Sequence, residues 1–68
     1  MRLTVNGKPR DVGGQPTILS LLEALEINPL IVAVEHNGDI VKRARYAEVP
    51  LGEGDTPEIV RMVGGGAR

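Results

Sequence analysis

The sequence predicts a single α+β domain, with one main helix packed on a mixed sheet of four to five short strands. Three observations carry that expectation. Extended, strand-like stretches lie at opposite ends of the chain, over residues 2–6 and 58–63. Only one segment between them has helical periodicity: Ile18, Leu21, Leu22 and Leu25 recur at i, i+3, i+4 and i+7. Turn signals at Asn6-Gly7, Asn37-Gly38-Asp39 and Gly52-Glu53-Gly54-Asp55 cut the remainder into strand-length pieces.

In chain order, Leu3 and Val5 alternate with Arg2, Thr4 and Asn6, as in a strand with one buried face. Asn6-Gly7 predicts a hairpin, because both residues tolerate positive φ. A short return strand over residues 9–12 ends at Gly13-Gly14-Gln15-Pro16. Thr17 is the expected N-cap, its hydroxyl accepting an orphan backbone N–H. The helix presents its four apolar residues to the core, and Asn28-Pro29 is expected to end it, since a residue before proline avoids helical geometry.

Residues 31–36 form a second strand, with Val32 and Val34 on one face and Ile31, Ala33 and Glu35 on the other. A short extended piece follows at Ile40-Val41. Residues 42–47 lack a clean period and suit a helical turn. Val49-Pro50-Leu51 reads as an edge segment, where proline is tolerated. Residues 58–63 form the last strand. A β-β-α-β-β-β order makes both terminal strands central only if they pair in parallel, with the helix covering one face. That is the ubiquitin-like β-grasp. Residues 1–63 form the expected domain and residues 64–68 a flexible glycine-rich tail.

Composition narrows the function classes. With no Phe, no Trp and one Tyr, the core has to be aliphatic. The absence of cysteine excludes disulfides, thiolate metal sites and a thiol nucleophile. With a formal net charge of −1 and a single aromatic residue, the chain lacks the basic surplus and stacking platforms of a nucleic-acid binder. No apolar run approaches the roughly 20 residues of a membrane span. Residues 1–6 lack a signal peptide's hydrophobic stretch, so a cytoplasmic location is expected.

The tail is where chemistry is expected. Three glycines follow the last strand, and a segment without side chains threads a narrow channel in another protein. Its useful group is then a terminal carboxylate. ATP converts a carboxylate to an acyl-adenylate, which accepts sulfur to give a thiocarboxylate or an amine to give an amide. The alternative is a frayed terminus without a role.

In sequence the chain resembles the ThiS family of thiamine-biosynthesis sulfur carriers over nearly its whole length. The matching stretches include Val5-Asn6-Gly7, Pro16-Thr17-Ile18, Val32-Ala33-Val34-Glu35, Asn37-Gly38-Asp39-Ile40-Val41, Tyr46-Ala47-Glu48 and Gly54-Asp55. They end with Glu58-Ile59-Val60-Arg61-Met62-Val63-Gly64-Gly65-Gly66. The resemblance implies a carrier, not an enzyme. It places the adenylated and thiocarboxylated residue at Gly66, with Gly64 and Gly65 in the threading tail. A ThiF-like E1 adenylyltransferase would use ATP on that end, and a sulfur donor enzyme would supply sulfur. A ThiG-like thiazole synthase would consume it. No cofactor is expected to be bound by the chain itself.

The chain departs from the pattern by continuing into Ala67 and Arg68. Either a peptidase removes Ala67-Arg68, or these two residues are an artefact, or the chain is not a standard carrier. The same core suits a molybdopterin-type sulfur pathway, a ubiquitin-like protein modifier or a passive β-grasp binding module.

The resemblance also implies that Ile59 faces the helix, which turns Val60 and Met62 to the open sheet face. There, with Thr4 and Ile31, they would make an apolar partner-binding patch. Lys42, Arg43 and Arg45 read as a solvated turn. His36 has no partners at metal-ligand spacing, so no metal site is expected. Tyr46 is expected to close one end of the core with its hydroxyl near solvent. Ser20 has no evident base and reads as a polar-face helix residue.

Overall fold

The computed structural model describes residues 1–62. Strands β1 (Arg2–Val5) and β2 (Lys8–Asp11) form an antiparallel hairpin with Val5 opposite Lys8. Asn6 and Gly7 both take positive φ, 52° and 81°, the geometry whose twist matches a two-residue hairpin. This tight turn starts β2 at Lys8, one residue earlier than the sequence predicts. Leu3 and Val5 point inward and are buried, whereas β2 is exposed throughout.

Helix α1 (Ile18–Ala24) begins as expected at Thr17. Its hydroxyl accepts the Ser20 N–H at 3.2 Å, and the Thr17 N–H donates to Ser20 Oγ at 2.8 Å. This reciprocal capping box satisfies two otherwise orphaned donors and gives Ser20 a structural task. Ile18, Leu21 and Leu22 are buried.

The helix does not extend to Asn28-Pro29. It stops at Ala24, where the Glu26 N–H returns to the Glu23 carbonyl and the Ile27 N–H to the Leu22 carbonyl. This is a Schellman closure with Glu26 in the left-handed region at φ 60°. Asn28 instead caps a separate 3₁₀ turn, Pro29–Ile31, accepting the Leu30 N–H at 2.9 Å.

Ile31 belongs to that turn, so β3 (Val32–His36) starts one residue later than expected. Val32 and Val34 face the core as the alternation requires. A second tight turn, Asn37 and Gly38 at φ 56° and 85°, leads to β4 (Asp39–Val41), antiparallel to β3. A 3₁₀ turn at Arg43–Arg45 occupies the predicted helical turn. Tyr46 is 2% exposed, and its hydroxyl donates inward to the Val32 carbonyl at 3.4 Å, not toward solvent. The Val49-Pro50-Leu51 segment contributes one isolated bridge, Thr17 to Pro50.

Strand β5 (Glu58–Arg61) runs antiparallel to β3. The strands divide into a β1-β2 pair and a three-stranded β4-β3-β5 sheet. The predicted parallel pairing of the two chain ends survives as hydrogen bonds from Thr4 N–H to Asp55 O and from Asn6 N–H to Pro57 O. Both partners advance together, as in a parallel pair. The reciprocal bond to the Thr4 carbonyl would come from residue 57, and proline has no N–H to give. The ladder therefore does not close. The result is a ubiquitin-like β-grasp around an aliphatic core of Leu3, Ile18, Leu21, Leu22 and Val34, sealed by Tyr46 and Leu51.

Candidate functional site

The approach to the tail is held by Asn6. Its backbone N–H donates to the Pro57 carbonyl at 3.2 Å, and its side chain continues the tie onto β5. Its Nδ2 donates to the Ile59 carbonyl at 3.0 Å, and its Oδ1 accepts the Ile59 N–H at 2.6 Å. One carboxamide thus supplies the donor and acceptor of a strand neighbour. The sequence marks Asn6 only as a turn residue, and its second role is legible only in three dimensions.

Ile59 lies opposite Val34 and packs against the core, as expected. Val60 and Met62 consequently turn outward and are 56% and 45% exposed. Val60 sits opposite Ala33, and the Met62 N–H donates to the Ile31 carbonyl at 2.8 Å. Ile31 is also exposed, and so is its neighbour Leu30, which the sequence reading did not single out. Thr4 bonds to Asp55, several residues before Val60 along the chain, so the register separates it from this group.

Next to Val60 on the same face, Glu58 lies directly opposite Glu35. Like charges in that relation destabilise a strand pair. Among the described residues neither carboxylate joins an ion pair. The open face is therefore apolar toward Met62 and acidic toward Glu58.

At the far end of β3, His36 Nε2 donates to Asp55 Oδ2 at 2.9 Å. That same oxygen accepts the Gly52 N–H at 2.8 Å. The His36 hydrogen bond, seconded by Gly52, holds the Asp55 carboxyl below its usual pKa. No hydroxyl hydrogen-bonds to the imidazole among the described residues, so the pair anchors the loop before β5 and does not arm a nucleophile. No group of three or more His, Asp or Glu gathers among the described residues in a way that could hold a metal ion. Arg45 pairs with Glu48 at 3.4 Å on an exposed surface, and the rest of the basic turn is solvated. Gly64, Gly65 and Gly66, the expected tail and modified terminus, lie outside the described residues. So does the expected domain boundary after residue 63.

Fold and site together define a small β-grasp domain that presents one open sheet face beside the strand leading into a glycine-rich end. The ThiS family model matches residues 3–66, and the chain belongs to the ThiS family. It is 43% identical to the sulfur carrier protein ThiS of Bacillus subtilis, over 94% of this chain and 98% of that one. It is 40% identical to a thiazole synthase of Paramagnetospirillum magneticum and 39% identical to one of Magnetococcus marinus. These matches use 98% and 97% of this chain but only 21% and 20% of the synthases, so the chain spans about a fifth of their length. The crystal structure of a thiamine biosynthesis protein, ThiS, from Geobacter metallireducens superposes with a TM-score of 0.83 at 36% identity. That superposition covers 94% of this chain and 97% of the other. No described helix is long and apolar enough to cross a membrane.

Proposed function

We propose that the chain is a sulfur carrier for construction of the thiamine thiazole ring, acting through Gly66. The observation that carries this reading is the family match, which runs from residue 3 through the last glycine and stops before Ala67-Arg68. Once the peptide bond after Gly66 is hydrolysed, Gly66 bears the free carboxylate. Its oxygen attacks the α-phosphorus of ATP on a ThiF-like E1 enzyme and pyrophosphate leaves. The terminal sulfur of a donor enzyme's persulfide then attacks the acyl carbon and AMP leaves, after which a thiol reductant cleaves the S–S bond and leaves a thiocarboxylate.

The chain's own contribution is delivery. Asn6 and the β3 ladder fix the strand from which Gly64 and Gly65 lead to the reacting end. Val60 and Met62 supply the apolar surface that partners grip. A ThiG-like synthase as sulfur acceptor is supported by the occurrence of a segment like this chain within two proteins named thiazole synthase.

The test compares chains ending at Gly66 and at Arg68 in ATP–pyrophosphate exchange with the cognate E1-like enzyme. Exchange by the first and not the second is expected. A Gly66-ended chain that supports no exchange overturns the reading. Intact mass after incubation with ATP, the E1-like enzyme, the sulfur donor and a thiol reductant should show one oxygen replaced by sulfur.

A further inference from the structure

The helix-facing side of the sheet carries three cations where a β-grasp core calls for apolar residues. Lys8 lies opposite Val5, Arg10 opposite Leu3, and Arg61 opposite Val32. Directly opposed residues share a face, and all three aliphatic partners are at most 5% exposed. A charged residue in a core-facing register breaks the binary pattern and calls for a functional reason.

The helix explains the space. Because α1 closes at Ala24, it leaves this end of the sheet uncovered. An open groove of 390 Å³ remains, floored by Val5, Leu25, Ile27, Val32 and Ile59. Lys8, Arg10 and Arg61 rim it, and no acidic residue lines it. None of the three cations forms an ion pair among the described residues. The whole chain carries a formal charge of −1, so this concentration of positive charge opposes the average.

Protection of an exposed edge by inward charges accounts for Lys8 and Arg10 on β2. It does not account for Arg61, because β5 is flanked by β3 on one side and by the Asn6 bonds on the other.

We infer that this groove docks an acidic segment of a partner protein, with an aliphatic side chain on the floor and flanking carboxylates on Lys8, Arg10 and Arg61. Charge complementarity selects the acidic partner, and the aliphatic floor selects an apolar side chain over a nucleotide, which would favour an aromatic platform. The groove lies on the opposite face of the sheet from Val60, so it is a second surface. It does not depend on the chemistry assigned to Gly66.

The test is an NMR titration of the ¹⁵N-labelled full chain with a synthetic peptide alternating Asp or Glu with Leu. A matched peptide with Lys at the acidic positions, and ATP, serve as controls. Saturable shifts at Lys8, Arg10, Ile27 and Arg61 are expected with the acidic peptide alone. Raising the ionic strength from about 0.05 M to about 0.5 M should weaken binding about tenfold or more. The double variant Lys8→Glu/Arg61→Glu should lose at least about tenfold in affinity while keeping a native spectrum, whereas Lys8→Arg/Arg61→Lys should retain it. Absence of groove shifts, equal shifts with the Lys peptide, stronger shifts with ATP, or shifts confined to the Val60 face would each overturn the inference.

Discussion

Asn6 and Ile59, 53 positions apart, exchange two hydrogen bonds through a single side chain, with Nδ2 on the Ile59 carbonyl and Oδ1 on its N–H. The first hairpin and the last strand are thereby tied where Pro57 prevents a backbone ladder from forming. Asn6→Gly keeps the positive-φ turn but removes both bonds, and should cost about 1–2 kcal/mol in urea unfolding. Asn6→Ala adds left-handed strain of roughly 1–2 kcal/mol and should cost more. Asn6→Asp keeps the acceptor but loses the donor, so it should fall between wild type and Asn6→Gly above pH 5. If all three variants match wild type, the clasp contributes nothing to stability.

A second tie, His36 to Asp55, has a pH signature. The folded-state pKa of Asp55 is lowered, first by the His36 hydrogen bond and then by the Gly52 N–H. A lowered carboxyl pKa contributes stability that is fully present above the unfolded value, about 3.9, and is lost as pH falls through the folded value. Asp55→Asn should therefore be less stable than wild type at pH 6, and the gap should narrow below about pH 4. A gap independent of pH would show that the effect comes from packing and not from the carboxylate.

Glu26 closes the helix in a conformation that glycine adopts without penalty. The left-handed backbone costs a residue with a side chain roughly 1–2 kcal/mol, while glycine adds about 0.4–1 kcal/mol of unfolded-state entropy. Glu26→Gly should therefore stabilise the chain by about 0.5–1 kcal/mol, whereas Glu26→Ala should not. Thermal melts of the two variants decide the point.

The same residue shows where sequence reasoning stops. The helix start was legible because Thr17 carries its capping chemistry in its side chain. The end was not, because Glu26 carries no glycine-like mark, and Asn28-Pro29 offered a more conspicuous stop that the chain uses for a 3₁₀ turn. Strand faces at Leu3, Val5, Val32 and Val34 followed from alternation alone. The outward turn of Val60 and Met62 needed a family resemblance, since Ile59, Val60 and Met62 are all apolar and alternation cannot choose between faces. Tyr46 was placed correctly in the core, but its hydroxyl found an inward acceptor, the Val32 carbonyl, that sequence order does not reveal. The Asn6 and His36 ties join residues distant in sequence and leave no local pattern.

Glu35 and Glu58 oppose one another across β3 and β5 without a cation to relieve them among the described residues. Glu58→Lys replaces a repulsive cross-strand pair with an attractive one and should raise stability by about 0.5–1 kcal/mol. The gain should shrink as salt screens both charges. A loss of stability would mean that the carboxylates are held apart and the repulsion is not felt.

Val60 and Met62 test the separation of folding from partner recognition. Their side chains are 56% and 45% exposed, so little of the core's stability rests on them. Val60→Lys and Met62→Lys should each leave unfolding free energy within about 1 kcal/mol of wild type, the span of strand propensity. Burying an apolar side chain at an interface contributes about 1.5–3 kcal/mol, and each 1.4 kcal/mol is a factor of ten in binding. On a chain ending at Gly66, each substitution should therefore lower kcat/KM for adenylation by the E1-like enzyme about tenfold or more. Unchanged adenylation with unchanged stability would mean that the enzyme grips the carrier elsewhere, and the open face would then have to be tested against the thiazole synthase alone.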